Sequence, residues 1–286
     1  MDYNIQFHAA YFLVFCSERQ RVLESGIMDT NENLKTVPHY DFYDYSTFWS
    51  GRNYEDASDK IAVTALLKKT VSRNSIVDVG AGLGRLVPCY AHLFRQVTLV
   101  DPSSIQLKRT ETEIGQTYPN VSFLQGTAEH LPLADESVDA IVCVRVSHHI
   151  PDIAVPVAEY RRVLAPGGYL IFEIANKINV KSRVRAFLKM KSKELNDQDP
   201  VSVKDKAPES SIAFVNHNPN TIAKILKKEG FEIVSIRSVS NFRWTLFKKI
   251  FPISWLLFFE RMAQTLLAPA WFGPSIYFLA RKKPLK

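Results

Sequence analysis

The chain has 286 residues, 46% hydrophobic and 23% charged, which is enough apolar surface for one large domain and excludes a disordered chain. Eleven glycines and fifteen prolines without a period exclude a collagen-like or low-complexity fibre. The net charge of +7 is concentrated in residues 241–286, where eight basic side chains face the single acid Glu260; residues 1–240 balance at 28 of each sign. A basic end of this kind suits an anionic membrane surface or nucleic acid as partner, or simply a solvated terminus. Cys16, Cys89 and Cys143 form no C-x-x-C pair and show no metal-ligand spacing, so a disulfide framework and a zinc site are not expected and a reducing, cytoplasmic compartment is. No run of eighteen apolar residues is present, and no Lys or Arg precedes the apolar run Ala9–Cys16, which makes it a poor signal peptide.

Residues 1–37 read as a weakly specified leader. Met28 offers a second start, so residues 1–27 need not belong to the native protein. An aromatic stretch follows, with Tyr40, Tyr43, Tyr45, Phe48, Trp49 and Tyr54 around Arg52. It reads as a packed lid, which makes residues 1–55 a leader and lid and residues 56–286 the main domain. Asp56 to Val71 has helical spacing.

From Ser75 short apolar strands alternate with helical stretches. Ile76–Val79 is a strand, Gly80 to Gly84 breaks it, and a helix is expected to Phe94. Val97–Val100 is a second strand ended by Asp101-Pro102, and Ser103 or Ser104 can cap the next helix. Val121–Leu124, Ala140–Val144 and Tyr169–Ile174 are further strands, with a helix over Asp152–Leu164 and a turn at Pro166-Gly167-Gly168. The alternation predicts a parallel sheet with crossover helices, covered on both faces.

Residues 177–215 interrupt the rhythm with a basic helical stretch and a polar loop at 196–211. Asn220-Thr221 can cap a helix to Glu229, and Phe231–Val239 and Ser275–Ala280 are the last strands. Between these two lies an aromatic insertion, 241–273, crowded with Trp, Phe, Leu and Ile and interrupted by basic residues. That composition suits a segment in a bilayer interface, so peripheral membrane contact is an expectation, as are an acceptor pocket, a helical cover and a dimer interface.

The most specific signal is Val77-Asp78-Val79-Gly80-Ala81-Gly82-Leu83-Gly84-Arg85, set between a strand and a helix. Glycines there allow a sharp turn and close approach of a ligand to the main chain. Asp101 ends the next strand, where a carboxylate accepts ribose hydroxyls. The G-x-G-x-G spacing differs from the dinucleotide pattern, and an acid two residues before the first glycine suits a cationic amino group better than a pyrophosphate. This favours S-adenosylmethionine (SAM) over NAD.

With VDVGAGLGR, VTLVDPSS, GTAEHLPLADESVDAIVCVRVSHHI and YRRVLAPGGYLIFEI in order, the chain resembles the class I SAM-dependent methyltransferases of the type 11 branch over about residues 75–175. The resemblance implies an α/β, Rossmann-like, doubly wound sheet of seven strands in the order 3-2-1-4-5-7-6, the last antiparallel. It implies SAM as cofactor, with Gly80, Ala81 and Gly82 along the methionine, Gly84 among the cofactor-binding residues, Asp78 near the methionine amino group, and Asp101 on the ribose. Pro102, Thr127, Ala128 and Glu129 flank the adenine, and Val144 and Arg145 lie under the sulfonium. Thr127 departs from the acid often found at its place. His148 and His149, just past the fourth strand, are the candidate catalytic bases; the stronger reading is that they help form the loop and its helix cap. The expected reaction is methyl transfer to a small-molecule or lipid-like acceptor, with nucleic acid disfavoured. An NAD-dependent oxidoreductase and a non-catalytic SAM-binding protein are the alternatives.

Overall fold

A computed structural model describes residues 49–188, 201–203 and 214–284; the leader and most of the aromatic lid lie outside them, as does most of the polar loop. Among the described residues nine strands are defined in chain order: β1 (Ser75–Val79), β2 (Gln96–Asp101), β3 (Val121–Gln125), β4 (Val138–Cys143), β5 (Leu164–Ala175), β6 (Val201–Val203), β7 (Phe214–Asn216), β8 (Phe231–Val239) and β9 (Ser275–Lys282). The helices are α1 (Asn53–Leu67), α2 (Val87–Tyr90), α3 (Ser104–Ile114), α4 (Ala154–Val163), α5 (Val180–Leu188), α6 (Pro219–Lys228), α7 (Thr245–Ile250) and α8 (Ile253–Leu266).

Seven strands form one sheet in the order β3-β2-β1-β4-β5-β9-β8. Counted among themselves they run 3-2-1-4-5-7-6, as expected. Pairings from β3 to β5 are parallel, and β9 is antiparallel to both β5 and β8. Alternate side chains of each central strand enter different cores. Ile76, Leu99, Val142 and Ile171 pack under α1, α2 and α3. Val77, Val100, Ile141 and Phe172 pack under α4 and α6 through Val157, Tyr160, Ile222 and Leu226. Both faces are therefore dry, which is why the strands read as continuous apolar runs.

Four local expectations are corrected. The helix after the glycine loop is only Val87–Tyr90, because i→i+3 turns at Gly84 and Val87 carry the preceding residues. Helix α1 starts at Asn53 and stops at Leu67, where the Thr70 hydroxyl donates to the Leu67 carbonyl at 2.8 Å. Asn218, not Asn220, caps α6 by accepting the Asn220 N–H at 3.0 Å. The Pro166–Gly168 turn lies inside β5, as a register shift against β4. Within the first insertion β6 and β7 pair antiparallel, a hairpin the polar sequence did not suggest.

Both insertions leave from the carboxyl edge of the sheet. There Ala175 pairs with Ser275, and Ser275 with Val239, so the chain exits β5 and β8 and re-enters β9 at one place.

Candidate active site

Because β1 to β4 are parallel, the loops that follow them gather on the same edge. Contacts join them. Gly82 N–H donates to Asp101 Oδ2 at 2.9 Å, Ser103 N–H to Asp101 Oδ1 at 3.0 Å, and Gly126 N–H to the Asp101 carbonyl at 3.2 Å. Asp101 is 6% exposed. The Thr110 hydroxyl of α3 donates to the Gly82 carbonyl at 2.8 Å and pins the loop from below.

Gly80, Gly82 and Gly84 all have positive φ, a region side chains with a Cβ avoid. Their surroundings differ. A Cβ at Gly80 would lie 2.2 Å from Val146 Cγ2, so this glycine admits the loop after β4. Among the described residues a Cβ at Gly82 would meet nothing within 4 Å. The open space of the turn is therefore over Gly82, beside the Asp101 carboxylate. Ala81 is buried against the core.

Asp78 is buried, on the α1 side of β1, and accepts a hydrogen bond from the Tyr90 hydroxyl. Burial pushes its carboxyl up to about 7, against the Tyr90 hydrogen bond and the Arg85 charge. Pro102 is half-buried; its carbonyl accepts from Gln125 Nε2 at 2.9 Å. Thr127 and His130 exchange two backbone hydrogen bonds of 3.2 Å, which turns the chain so that Ala128 is buried and Glu129 exposed.

Past β4, Val144 is buried and Arg145 has φ 64°. This left-handed turn sends the Arg145 side chain under the edge. Its guanidinium grips Asp59 of α1 through Nε–Oδ2 at 3.1 Å and Nη2–Oδ1 at 3.0 Å, and its backbone N–H donates to Glu173 Oε2 at 2.9 Å. Asp59 also accepts from Arg85 Nη2 at 3.0 Å and from the Tyr277 hydroxyl at 2.7 Å. Burial by itself would raise the Asp59 carboxyl; Arg145 and Arg85 outweigh it and hold it below the usual carboxylate range. Burial raises Glu173, partly opposed by Arg145. Arg85 also lies over the Trp49 ring at 4.0 Å. Asp59, Glu173 and Tyr277 are functional candidates that sequence reasoning missed. An acid inside the apolar strand LIFEI was a signal for Glu173; Asp59 had none among its charged neighbours.

His148 and His149 lie in a single 3-10 turn, Ser147–His149. Phe214 of β7 stacks on the His148 ring with centroids 4.4 Å apart, and His149 touches it at 4.0 Å. The first insertion therefore reaches the candidate base. His217, buried, donates from Nε2 to the Ser147 carbonyl at 3.0 Å and fixes the turn. Burial, aided by His149, Arg145 and His217, pushes His148 well below the usual imidazole value; burial brings His149 down to about 4. Both rings are neutral at pH 7, the state a proton acceptor needs.

The family model described as a methyltransferase domain matches residues 77–172, the stretch that holds the glycine turn, Asp101 and the histidine turn. Over these residues the chain is similar to the methyltransferase domains of the type 11 family. The chain is 35% identical over 114 residues to a ubiquinone biosynthesis O-methyltransferase of Alkalilimnicola ehrlichii, covering 40% of this chain and 46% of that protein. It is 32% identical over 105 residues to a phthiotriol/phenolphthiotriol dimycocerosates methyltransferase of Mycobacterium ulcerans, covering 36% and 38%. The matched stretch spans less than half the length of these relatives. A SAM-dependent methyltransferase from Methanosarcina mazei shares the fold at TM-score 0.52 and 18% identity, over 77% of this chain and 97% of that one. The cyclase SpnF shares it at TM-score 0.53 and 17% identity, over 78% and 81%.

Proposed function

We propose that the protein binds SAM at the carboxyl edge, between the glycine turn and Asp101, and transfers its methyl group to a small-molecule or lipid-like acceptor. The observation that carries this reading is the open space over Gly82 next to a carboxylate held by two backbone N–H groups. The residues fit the ligand. Asp101 ends β2 beside that space, where a carboxylate accepts ribose hydroxyls, and Asp78, buried in β1 two residues before Gly80, brings an acid to the same edge for an amino group. Pro102, Thr127, Ala128 and Glu129 stand at the next strand ends for an adenine ring. SAM, when bound, supplies an electrophilic methyl on a sulfonium.

The chain's own part is to orient the acceptor and exclude water, which is worth roughly 7–11 kcal/mol when geometry is right. The Arg145 guanidinium is turned away and balanced by Asp59 and Glu173, so its charge does not oppose a sulfonium at this edge. What Val144 and Arg145 offer there is main chain. His148 or His149 accepts the acceptor's proton where one must leave. The second insertion supports an apolar acceptor: Phe242, Phe247, Phe251, Trp255, Phe259 and Met262 line a cleft of about 490 Å³. The names of the relatives, which concern ubiquinone and phthiotriol products, point the same way.

Calorimetry with S-adenosylhomocysteine and with NADH tests the cofactor; heat from NADH alone would return the oxidoreductase reading. Radiolabelled SAM incubated with lipid and aqueous cell extracts tests the reaction, with label expected in the lipid fraction. A second reading, binding without methyl transfer, is kept in view by the cyclase of the same fold. Cofactor binding with no label in either extract would favour it.

A further inference from the structure

Helix α8 is built inside out. Its buried side carries Leu256 and Ala263 together with the polar Glu260 and Gln264. Glu260 is fully buried and accepts the Ser240 N–H at 2.8 Å, the Asn241 N–H at 3.0 Å and the Tyr54 hydroxyl at 2.7 Å. Its outward side carries Trp255, Phe258, Phe259, Met262 and Leu266, the spacing of one helical face. Trp255, Phe258 and Leu266 are 61%, 62% and 71% exposed. Helix α7 adds Leu246 and Ile250, one turn apart and both exposed. A helix covering a domain in water normally shows the reverse arrangement, and a contiguous apolar face marks an interaction surface.

Charge says what covers it. The only acid of the α7–α8 segment is Glu260, and it points inward. Lys248 pairs with Glu55 at 2.6 Å. The outward charges are Arg243, Lys249 and Arg261, all basic. A second segment meets the same edge: Val180 N–H of α5 donates to the Phe272 carbonyl at 3.0 Å, and Arg183 donates to the Ala270 carbonyl. Helix α5 exposes Val184, Phe187 and Leu188 beside Lys181 and Arg185, and contains no acid. Two segments distant in sequence thus bring the same composition to one edge.

A second copy of the chain on this face would set cation against cation. An anionic bilayer meets both demands, with its acyl boundary for the aromatic side chains and its headgroups for Lys and Arg. Among the described residues no helix is long and apolar enough to cross a membrane, so such a segment lies in the interface. We propose that α7, α8 and α5 dock the protein on an anionic phospholipid bilayer.

The test is co-sedimentation of the full chain with phosphatidylcholine vesicles, with and without about one-third phosphatidylglycerol. The protein is expected in the pellet with the anionic vesicles, less so as salt rises. The double variant Leu246→Glu/Phe258→Glu alters two exposed side chains outside the cleft, and it is expected to lose about ten-fold or more in bound fraction. Its melting temperature and its affinity for S-adenosylhomocysteine stay at wild-type level. No sedimentation at low salt, equal sedimentation with and without the anionic lipid, or full binding by the double variant overturns the proposal. So does a wild-type dimer that the variant dissolves with no vesicle binding in either protein, which assigns the face to a second copy. The assay uses neither cofactor nor acceptor, so its failure leaves the methyl-transfer reading where it stood.

Discussion

Arg145 and Asp59, 86 residues apart, form a two-pronged ion pair beneath the candidate site, at 3.1 and 3.0 Å. Asp59 is fully buried, so the pair holds α1 against the turn after β4. Removing one partner leaves a charge with poor solvation. Asp59→Ala is expected to cost about 3–5 kcal/mol, read as a drop in the urea midpoint. Asp59→Leu with Arg145→Met removes both charges and should cost less than Asp59→Ala alone. Because the folded Asp59 pKa is depressed, its contribution is present above the unfolded carboxylate value and is lost only as pH falls through the folded one. The wild-type pair should therefore be intact at neutral pH and fail only in strong acid.

The two glycines that open the turn should separate stability from binding. Gly80→Ala drives a methyl into Val146 and should lower stability by about 1–3 kcal/mol. Gly82→Ala meets no atom of the described residues, and its positive φ costs roughly 1–2 kcal/mol. The added methyl stands in the space assigned to the cofactor. Affinity for S-adenosylhomocysteine should therefore fall more at Gly82 than at Gly80, by calorimetry. Equal losses at the two positions would remove the ligand from this turn.

Asp101→Ala deletes the carboxylate that accepts from Gly82 and Ser103. Loss of a charged acceptor predicts about a ten-fold or greater fall in S-adenosylhomocysteine affinity. His148→Gln should leave that affinity in place and reduce turnover by about a hundred-fold or more if the imidazole takes the proton. Unchanged turnover would reassign His148 to shaping the turn with Phe214.

The histidine turn predicts an acid-sensitive fold. Folded His148 and His149 have depressed pKa values, while the unfolded chain protonates near 6.5. The unfolded state therefore binds more protons below that value, and stability falls as pH drops from about 6.5 toward the folded value of about 4 for His149. Melting temperatures across this range should decline, and His149→Gln should flatten the slope. An unchanged slope would place the titration elsewhere.

Tyr54 and Glu260 tie α1 to α8 by a buried hydrogen bond of 2.7 Å. Tyr54→Phe leaves Glu260 its backbone donors from Ser240 and Asn241, so a loss of about 1–2 kcal/mol is expected. Glu260→Ala frees both N–H groups at once and should cost more. Hydrogen exchange at Ser240 and Asn241 would report it.

Much of the sheet was legible because its determinants are local. Apolar runs of four to six residues, glycines at positive φ and caps such as Ser103, whose Oγ accepts the Gln106 N–H at 3.1 Å, are set by neighbours in the chain. The short α2 was misread because apolar spacing cannot register the turns at Gly84. The Asn218 cap was missed by two residues because Asn218 and Asn220 carry the same side chain.

By itself the amino-acid order determined where the glycine turn and the acid after the second strand fall and that parallel strands bring their loops to one edge, since a strand's period and a glycine's freedom need no distant partner. Only the tertiary structure decided that Arg145 turns under that edge toward Asp59 and Glu173, that Val146 rests on Gly80, and that α8 hides Glu260 and shows its aromatics. Each of these is a choice between faces. Burial and pairing across the fold decide such choices, because a charge leaves water only where its counter-charge and donors already stand.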